Sequence, residues 1–289
     1  MTNVRSSPTV RLSAYLSIVR LPNCVMIGLA VVIGEAIALG GLPSLAVSLS
    51  GFLTASLMMA GTMILNDIYD LSTDRVNNPS RPLVAGRIGL KEARALSVLF
   101  SALSITFAII LGLYTTIIAL LALYLMVYYN TKGKKTGLLG NIVVSSNVAL
   151  PFFYGGVAVN NLRPLLFVFS TIAFLANLGR EVAKGIPDAA GDRETGVRTI
   201  AVARGPITAA RMSAALFASA VILSFIPLFL GTVSLFYFPG VVLADVGFVY
   251  SSAKLLRNQD PRVVKSVKTQ VLFWMLLGLV GFLLGGSTI

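Results

Sequence analysis

Six stretches of this chain carry no charged residue: 36–66, 95–131, 136–162, 164–179, 212–244 and 269–289. A helix needs about 20 residues to cross the hydrocarbon core, and backbone placed there must satisfy its own hydrogen bonds. The runs lack the alternation of a β-barrel. They leave an all-α membrane protein as the expected fold class. Only 12% of residues are charged, against about 25% in an ordinary soluble domain, and the mean hydropathy is +0.87. The longer runs exceed one span, so they read as hairpins broken at Gly or Pro. Nine transmembrane helices in one bundle are predicted near 21–39, 45–66, 94–112, 114–131, 138–159, 163–183, 207–230, 233–253 and 267–286. Gly40-Gly41-Leu42-Pro43 separates the first two spans and Gly112 the third and fourth. Pro164 suits a helix first turn, where its missing N–H is harmless. Residues 1–289 read as a single intramembrane domain. Arg5, Arg11 and Arg20 before an ordinary first span argue against a cleavable signal peptide.

The net charge is +12, which raises nucleic acid as a partner. Its distribution gives another answer. Of the 23 Lys and Arg residues, 22 fall in the N-terminus or in the loops after the second, fourth, sixth and eighth spans, and the opposite loops hold only Arg163. This positive-inside pattern predicts a multi-pass cell-membrane protein with a cytoplasmic N-terminus and an outside C-terminus. Attraction to anionic headgroups and phosphate substrates accounts for the rest of the positive charge. No nucleic acid partner is expected, and nothing in the sequence calls for a protein partner.

Against this charge-poor background, Asn66-Asp67-Ile68-Tyr69-Asp70-Leu71-Ser72-Thr73-Asp74 places three carboxylates in eight positions. On a helix, residues three, four and seven apart share a face, so Asp67, Asp70 and Asp74 point the same way. Three like charges on one face repel unless a cation sits among them. Asp188 and Asp192, an i, i+4 pair, echo the motif 118 residues later as Asp188-xxx-Asp192-Arg193 beside Asp70-xxx-Asp74-Arg75. Both motifs follow an even-numbered span, so both are expected on the cytoplasmic side, and two four-helix halves built around them are one reading of the repeat. The chain has no His and one Cys, Cys24. That excludes His acid–base chemistry, cysteine metal clusters and an intrachain disulfide. The remaining oxygen donors suit Mg²⁺, which binds through one or two carboxylates plus substrate phosphates. Two clusters can hold two Mg²⁺ ions on one diphosphate, neutralising a leaving group. The plainer reading is solvated loop carboxylates paired with Arg75 and Arg193; two matched clusters on one side of the membrane weigh against it.

Basic side chains flank both motifs. Arg81 and Arg87 follow the first, Lys132, Lys134 and Lys135 close the fourth span, and Arg180, Lys184, Arg198 and Arg204 surround the second. A diphosphate needs such cations beyond its metals, although cytoplasmic loops are basic in any case. Polar groups inside spans are costly and usually face a cavity or a partner. Arg20, Asn23, Asn177 and Glu181 fall near the cytoplasmic end, where the acidic motifs are expected. Glu35 lies near the outer end and reads as structural; Asp245 is assigned no role. Aromatic side chains such as Phe152, Phe153 and Tyr154 are mostly packing, and some can line a slot for a prenyl chain and face an allylic cation.

These residues resemble the UbiA superfamily of intramembrane prenyltransferases. Its NDxxDxxxD signature is matched by Asn66, Asp67, Asp70 and Asp74, and its DxxxD signature by Asp188 and Asp192. The resemblance covers essentially the whole chain. Within the superfamily, the stretches from Arg20-Leu21-Pro22-Asn23-Cys24 to Gly34-Glu35, Ser80-Arg81-Pro82 to Gly86-Arg87, Tyr129-Asn130 to Lys134-Lys135, and Asn177-Leu178-Gly179-Arg180-Glu181 look like the archaeal digeranylgeranylglyceryl phosphate synthases. Where those proteins usually read K-D-I-E-D, this chain has Lys184-Gly185-Ile186-Pro187-Asp188, losing two acids and gaining a proline that predicts a kink. The resemblance implies Mg²⁺-dependent transfer of a geranylgeranyl group from geranylgeranyl diphosphate to the hydroxyl of geranylgeranylglyceryl phosphate, with release of diphosphate. It implies Asn66, Asp67, Asp70, Asp74, Asp188 and Asp192 around the metals, with Arg20, Asn23, Arg81, Lys134, Lys184 and Arg198 toward the substrates. An aromatic acceptor such as 4-hydroxybenzoate, in quinone synthesis, is the alternative within enzymes. A cation-coupled transporter is the alternative outside them, but transporter sites usually lie near the midplane.

Overall fold

The computed structural model describes residues 8–194 and 196–286, so Arg5 lies outside the described residues. Among the described residues there is no strand, and nine helices are long and apolar enough to cross a membrane. The first spans are α2 (Leu21–Leu39), α3 (Leu45–Tyr69), α5 (Leu90–Leu111), α6 (Leu113–Thr131) and α7 (Leu138–Ala158). They are followed by α8 (Pro164–Glu194), α10 (Pro206–Ser224), α12 (Tyr237–Arg257) and α13 (Pro261–Gly286). Shorter helices stand between them: α1 (Pro8–Val19), α4 (Leu71–Asn77), α9 (Ile200–Arg204) and α11 (Ile226–Phe229). The all-helical membrane class and the positions of the spans agree with the expectation. Pro164 opens α8 as expected, and Gly112, at φ +129°, makes the α5–α6 break that a residue with a Cβ would resist.

Several spans differ from their predicted limits: α5 and α13 begin four and six residues early and α12 is shifted four residues on, while the sixth and seventh change most. The expected end of the sixth span at residue 183 is a consequence of its charges, but α8 runs on through Pro187 to Glu194. Val182, Ala183 and Ile186 stay buried in an apolar core, and that packing carries the helix past the charged positions. The second acidic motif therefore lies within α8 and not after it. The seventh span breaks at Phe225, between α10 and α11, because Pro227 follows in the next turn.

The chain forms two compact units. The first comprises Met1–Leu29 and Leu49–Thr131, the second Ala30–Ser48 and Lys132–Ile289, so the boundary falls within α2 and α3. In the first unit, hydroxyls bond across helices to backbone carbonyls: Ser97 Oγ to Gly61 O at 2.8 Å, Ser104 Oγ to Thr54 O at 2.7 Å and Ser56 Oγ to Cys24 O at 2.8 Å. Small polar residues of this kind hold helices together where water is absent and apolar burial drives nothing. Ala14 and Ile18 of α1 pack with Ile64, Leu83, Ile88 and Ala93. Arg11 and Tyr15 of α1 both bond to Glu92 in the first turn of α5.

In the second unit an aromatic stack joins three helices. The rings of Phe169 and Phe282 lie parallel with centroids 3.9 Å apart, and Tyr237 stacks beside them. Backbone-to-backbone approach depends on glycine at the α2–α7 crossing. A Cβ on Gly155 would collide with Val31 O and lie 2.6 Å from Glu35 N.

Gly155→Val should accordingly destabilise the protein by about 1–3 kcal/mol through overpacking, seen as a lowered unfolding temperature in detergent. Gly41→Ala, which faces open space, should shift stability by no more than about 0.5 kcal/mol.

Candidate active site

The first acidic motif sits where α3 ends. Asp70 stands between α3 and α4 as the N-cap of α4, yet the helical bonding is nearly continuous, with Asp70 N to Asn66 O at 2.9 Å and Asp74 N to Asp70 O at 2.8 Å. Asp67 and Asp74 are both buried, at 4% exposure. They share one guanidinium: Arg81 Nη1 donates to Asp67 Oδ1 at 3.0 Å and also to Asp74 Oδ2. Arg20 Nη2 donates to Asp67 Oδ1 at 2.7 Å, and Arg20 Nη1 contacts Met63 Sδ at 3.1 Å. Two arginines, arriving from two directions, supply positive charge to these carboxylates. Asp70 is only half-buried and accepts from Asn66 Nδ2 at 2.8 Å, while Asn78 Nδ2 donates to Asp74 Oδ1 at 3.1 Å.

Local structure explains both arginines. Arg20 lies at the break between α1 and α2 with φ +54°, a conformation disfavoured for a residue with a Cβ. Its ion pair with Asp67 offsets that cost. Arg81 belongs to the loop after α4, which is folded back by Ala85 N to Arg81 O at 2.8 Å and Arg87 N to Pro82 O at 2.9 Å. Leu83 and Ile88 anchor this loop in the core of the first unit and so place Arg81 over the two carboxylates. Asn23 is half-buried one turn into α2, with its N–H on Arg20 O at 2.8 Å.

In the second unit Asp188 and Asp192 lie one turn apart on α8, Asp188 exposed and Asp192 half-buried. Thr199 hydrogen-bonds the Asp192 carboxylate and also caps α9 by accepting from Val202 N at 3.3 Å. Gly137, at φ +63°, packs directly against Arg198 O, holding the Arg198–Thr199 turn in place. Lys134 is half-buried in the short 3₁₀ turn Gly133–Thr136 just before it, and the Arg198 side chain is exposed. Nearer the middle of the same helix, buried Glu181 takes Arg180 Nη1 at 2.9 Å and Lys184 Nζ at 3.2 Å. Asn177 Nδ2 donates to Ser145 Oγ at 3.1 Å. With a spacing of three or four residues, Asn177, Glu181, Lys184, Asp188 and Asp192 make one polar stripe along α8.

The structure thus joins Asn66, Asp67, Asp70, Asp74, Arg20 and Arg81 in the first unit. Lys184, Asp188, Asp192, Arg198 and Lys134 belong to the second. Thr199 was not foreseen. Thr199 gives no signal beyond being a helix-cap residue type. Glu35 is fully buried, with neither carboxylate oxygen hydrogen-bonded, and Asp245 accepts from Ser224 Oγ at 2.7 Å.

Among the described residues no three acid, His or Cys side chains converge as a ready metal cage. The donors nevertheless fit a hard cation. Asn66, Asp67, Asp70 and Asp74 offer only oxygen within two helical turns, as do Asp188 and Asp192 within one, and Mg²⁺ uses few carboxylates while keeping water.

Comparison with known proteins places this geometry. The UbiA prenyltransferase family matches residues 27–277, and the chain belongs to that family. Over 282 residues it is 35% identical to the digeranylgeranylglyceryl phosphate synthase of Ignicoccus hospitalis, covering 94% of this chain and 91% of that one. A solved structure of a digeranylgeranylglyceryl phosphate synthase superposes with a TM-score of 0.76 at 29% identity, covering 96% of this chain and 99% of the other. The same fold recurs in a UbiA homologue from Archaeoglobus fulgidus bound to GPP and Mg²⁺, at a TM-score of 0.65 and 20% identity, over 93% of this chain and 99% of the other. The protein is a multi-pass membrane prenyltransferase.

Arg81→Ala would leave two buried carboxylates short of a partner. We expect a loss of about 3 kcal/mol, the low end for a broken buried pair because Arg81 is partly exposed, with Arg81→Lys recovering part of it. Thermal unfolding of the three purified proteins measures this.

Proposed function

We propose that this protein transfers a geranylgeranyl group from geranylgeranyl diphosphate to geranylgeranylglyceryl phosphate, a step of ether-lipid synthesis. The observation that carries this reading is the identity, spread over nearly the whole chain, with proteins named for that activity. The C1–oxygen bond of the donor breaks and diphosphate departs with its electrons. The acceptor hydroxyl oxygen bonds to C1, and its proton passes to a carboxylate or a diphosphate oxygen, His being absent.

Asn66, Asp67, Asp70 and Asp74, with Asp188 and Asp192, would hold two Mg²⁺ ions. Bound there, Mg²⁺ supplies neutralising charge to the leaving diphosphate. Arg20 and Arg81 orient Asp67 and Asp74, and Thr199 orients Asp192. Arg20, Asn23, Arg81, Lys134, Lys184 and Arg198 are the groups we assign to substrate phosphates. Phe and Tyr side chains of the spans give the prenyl chain an apolar, cation-tolerant surround. The positive-inside bias supports a cytoplasmic N-terminus and active site.

Purified protein should release diphosphate only with both substrates and Mg²⁺. Asp67→Ala, Asp70→Ala and Asp192→Ala should each lower kcat/KM by at least about 100-fold, the scale of losing one preorganised charge-stabilising group, while the proteins still insert. Full activity in all three would refute the carboxylate assignment. For sidedness, a Cys24→Ser background carrying Asn160→Cys should react with an impermeant maleimide on intact cells. The same background carrying Lys135→Cys should react only after permeabilisation; the reverse pattern would invert the topology.

A further inference from the structure

The back of α3 bears a feature that the acidic motif does not use. An open-sided groove of about 350 Å³ runs between α3, α5 and α6 in the first unit. Leu65 of α3, Val98, Ala102 and Ile105 of α5, and Leu123 and Val127 of α6 line it. At 3.6 residues per turn, Leu65 stands about 200° round the helix from Asp67, so the groove and the carboxylates take opposite faces of α3. Close approach of α3 and α5 forms its rear wall: a Cβ on Gly61 would lie 2.8 Å from Ser101 Oγ and 3.0 Å from Ser97 O. Around the groove α5 and α6 turn apolar side chains outward, among them Ile109, Ile110, Leu120 and Leu121. All three helices are membrane spans, so the open side meets lipid chains and not water.

One end of this groove is cationic. Lys91 and Arg94 stand in the first turns of α5, seven and four residues before Val98, and so keep the face that Val98, Ser101 and Ile105 give to the groove. Both are exposed. Helical side chains lean toward the N-terminus, which carries these two past the apolar bed toward the end of the span. Glu92, the acid between them, lies on another face and is held by Arg11 and Tyr15.

We propose that this groove binds an anionic phospholipid of the surrounding bilayer, with one chain along Leu65, Ala102 and Val127 and the phosphate on Lys91 and Arg94. Charge complementarity selects this occupant. Basic residues at the end of a span attract anionic headgroups. A neutral lipid, or an apolar helix of a second copy of the chain, would fill the bed and leave both cations unmatched. Free phosphate would match the cations and leave the bed unfilled. The volume falls in the usual range for a small-ligand site, about 300–1,000 Å³. This lipid is not a substrate. It wedges three helices together behind the one whose other face carries Asp67, Asp70 and Asp74.

Native mass spectrometry of the purified protein in neutral detergent, titrated with dioleoyl phosphatidylglycerol, should show a tightly retained lipid. Dioleoyl phosphatidylcholine should bind more weakly. Lys91→Gln and Arg94→Gln should each weaken phosphatidylglycerol binding about fivefold, the scale for one basic residue at a membrane surface, and leave phosphatidylcholine binding unchanged. Ala102→Phe, which fills the bed from an exposed position, should weaken both lipids. Equal retention of the two lipids by wild type, or undiminished phosphatidylglycerol binding in Ala102→Phe, would overturn the proposal. So would a lipid-free wild-type dimer that Ala102→Phe splits, because a second copy would then be the occupant. A further measurement needs no variant. Phosphatidylglycerol binding should weaken between 0.1 M and 1 M salt, as the screening length falls from about 10 Å to about 3 Å, while phosphatidylcholine binding holds; retention of phosphatidylglycerol that ignores salt would overturn the assignment of Lys91 and Arg94.

Discussion

A carboxylate that stays ionised while buried at the end of a membrane helix must be met by positive charge, and the first unit is arranged to do this for Asp67. Arg20 arrives from the break between α1 and α2, Arg81 from the loop after α4, and both converge on Oδ1. Each arrival imposes a demand elsewhere. Arg20 needs a left-handed backbone between two helices, and α1 is fastened by Ala14, Ile18 and the Arg11–Tyr15–Glu92 contacts. Arg81 needs a loop rigid enough to span two carboxylates, which Leu83 and Ile88 secure from beneath. An ion pair of this kind is weak evidence for net stability, because desolvation offsets most of the attraction. Its value is geometric: it fixes where two carboxylates point. In the proposed reaction, that fixed direction is what a metal-bound diphosphate would require.

Much of this was legible in the sequence, and the limits of legibility are physical. Spans could be placed because charge is intolerable inside them, so uncharged runs bounded by Gly, Pro or Lys/Arg mark their extents. The oxygen-only chemistry followed from the absence of His and the isolation of Cys24. The end of α8 was misplaced for the same reason that the others were found. Its charges looked like a boundary, whereas Val182, Ala183 and Ile186 on its buried face continue the helix through them. A one-dimensional count of charge cannot see that a helix may be apolar on one side and ionic on the other.

The individual partners were less accessible than the class of site. Arg81 was one of several basic residues in a basic loop, and only the anchoring of Leu83 and Ile88 distinguishes it from Arg87, whose guanidinium bonds instead to Ser80 O. Thr199 reaches Asp192 because the chain turns back after α8 and Gly137 admits the backbone of Arg198 against it. Neither spacing nor composition encodes that return.

The polar stripe on α8 alternates carboxylates that face outward with one that is buried and ion-paired. Asp188 and Asp192, nearer its end, are negative and suited to metal ions. Glu181, one to two turns further in, is buried and draws in Arg180 and Lys184. Helical periodicity sets a pair of carboxylates and an ion-paired carboxylate on one face within a few turns of one rigid element. Gly185 and Pro187 lie between Lys184 and Asp188. They leave Asp188 and Asp192 as the acids of this segment, 184–192. Gly185 packs against Thr199, with room at 3.4 Å for ordinary contact only, so the position is given to holding the turn that orients Asp192.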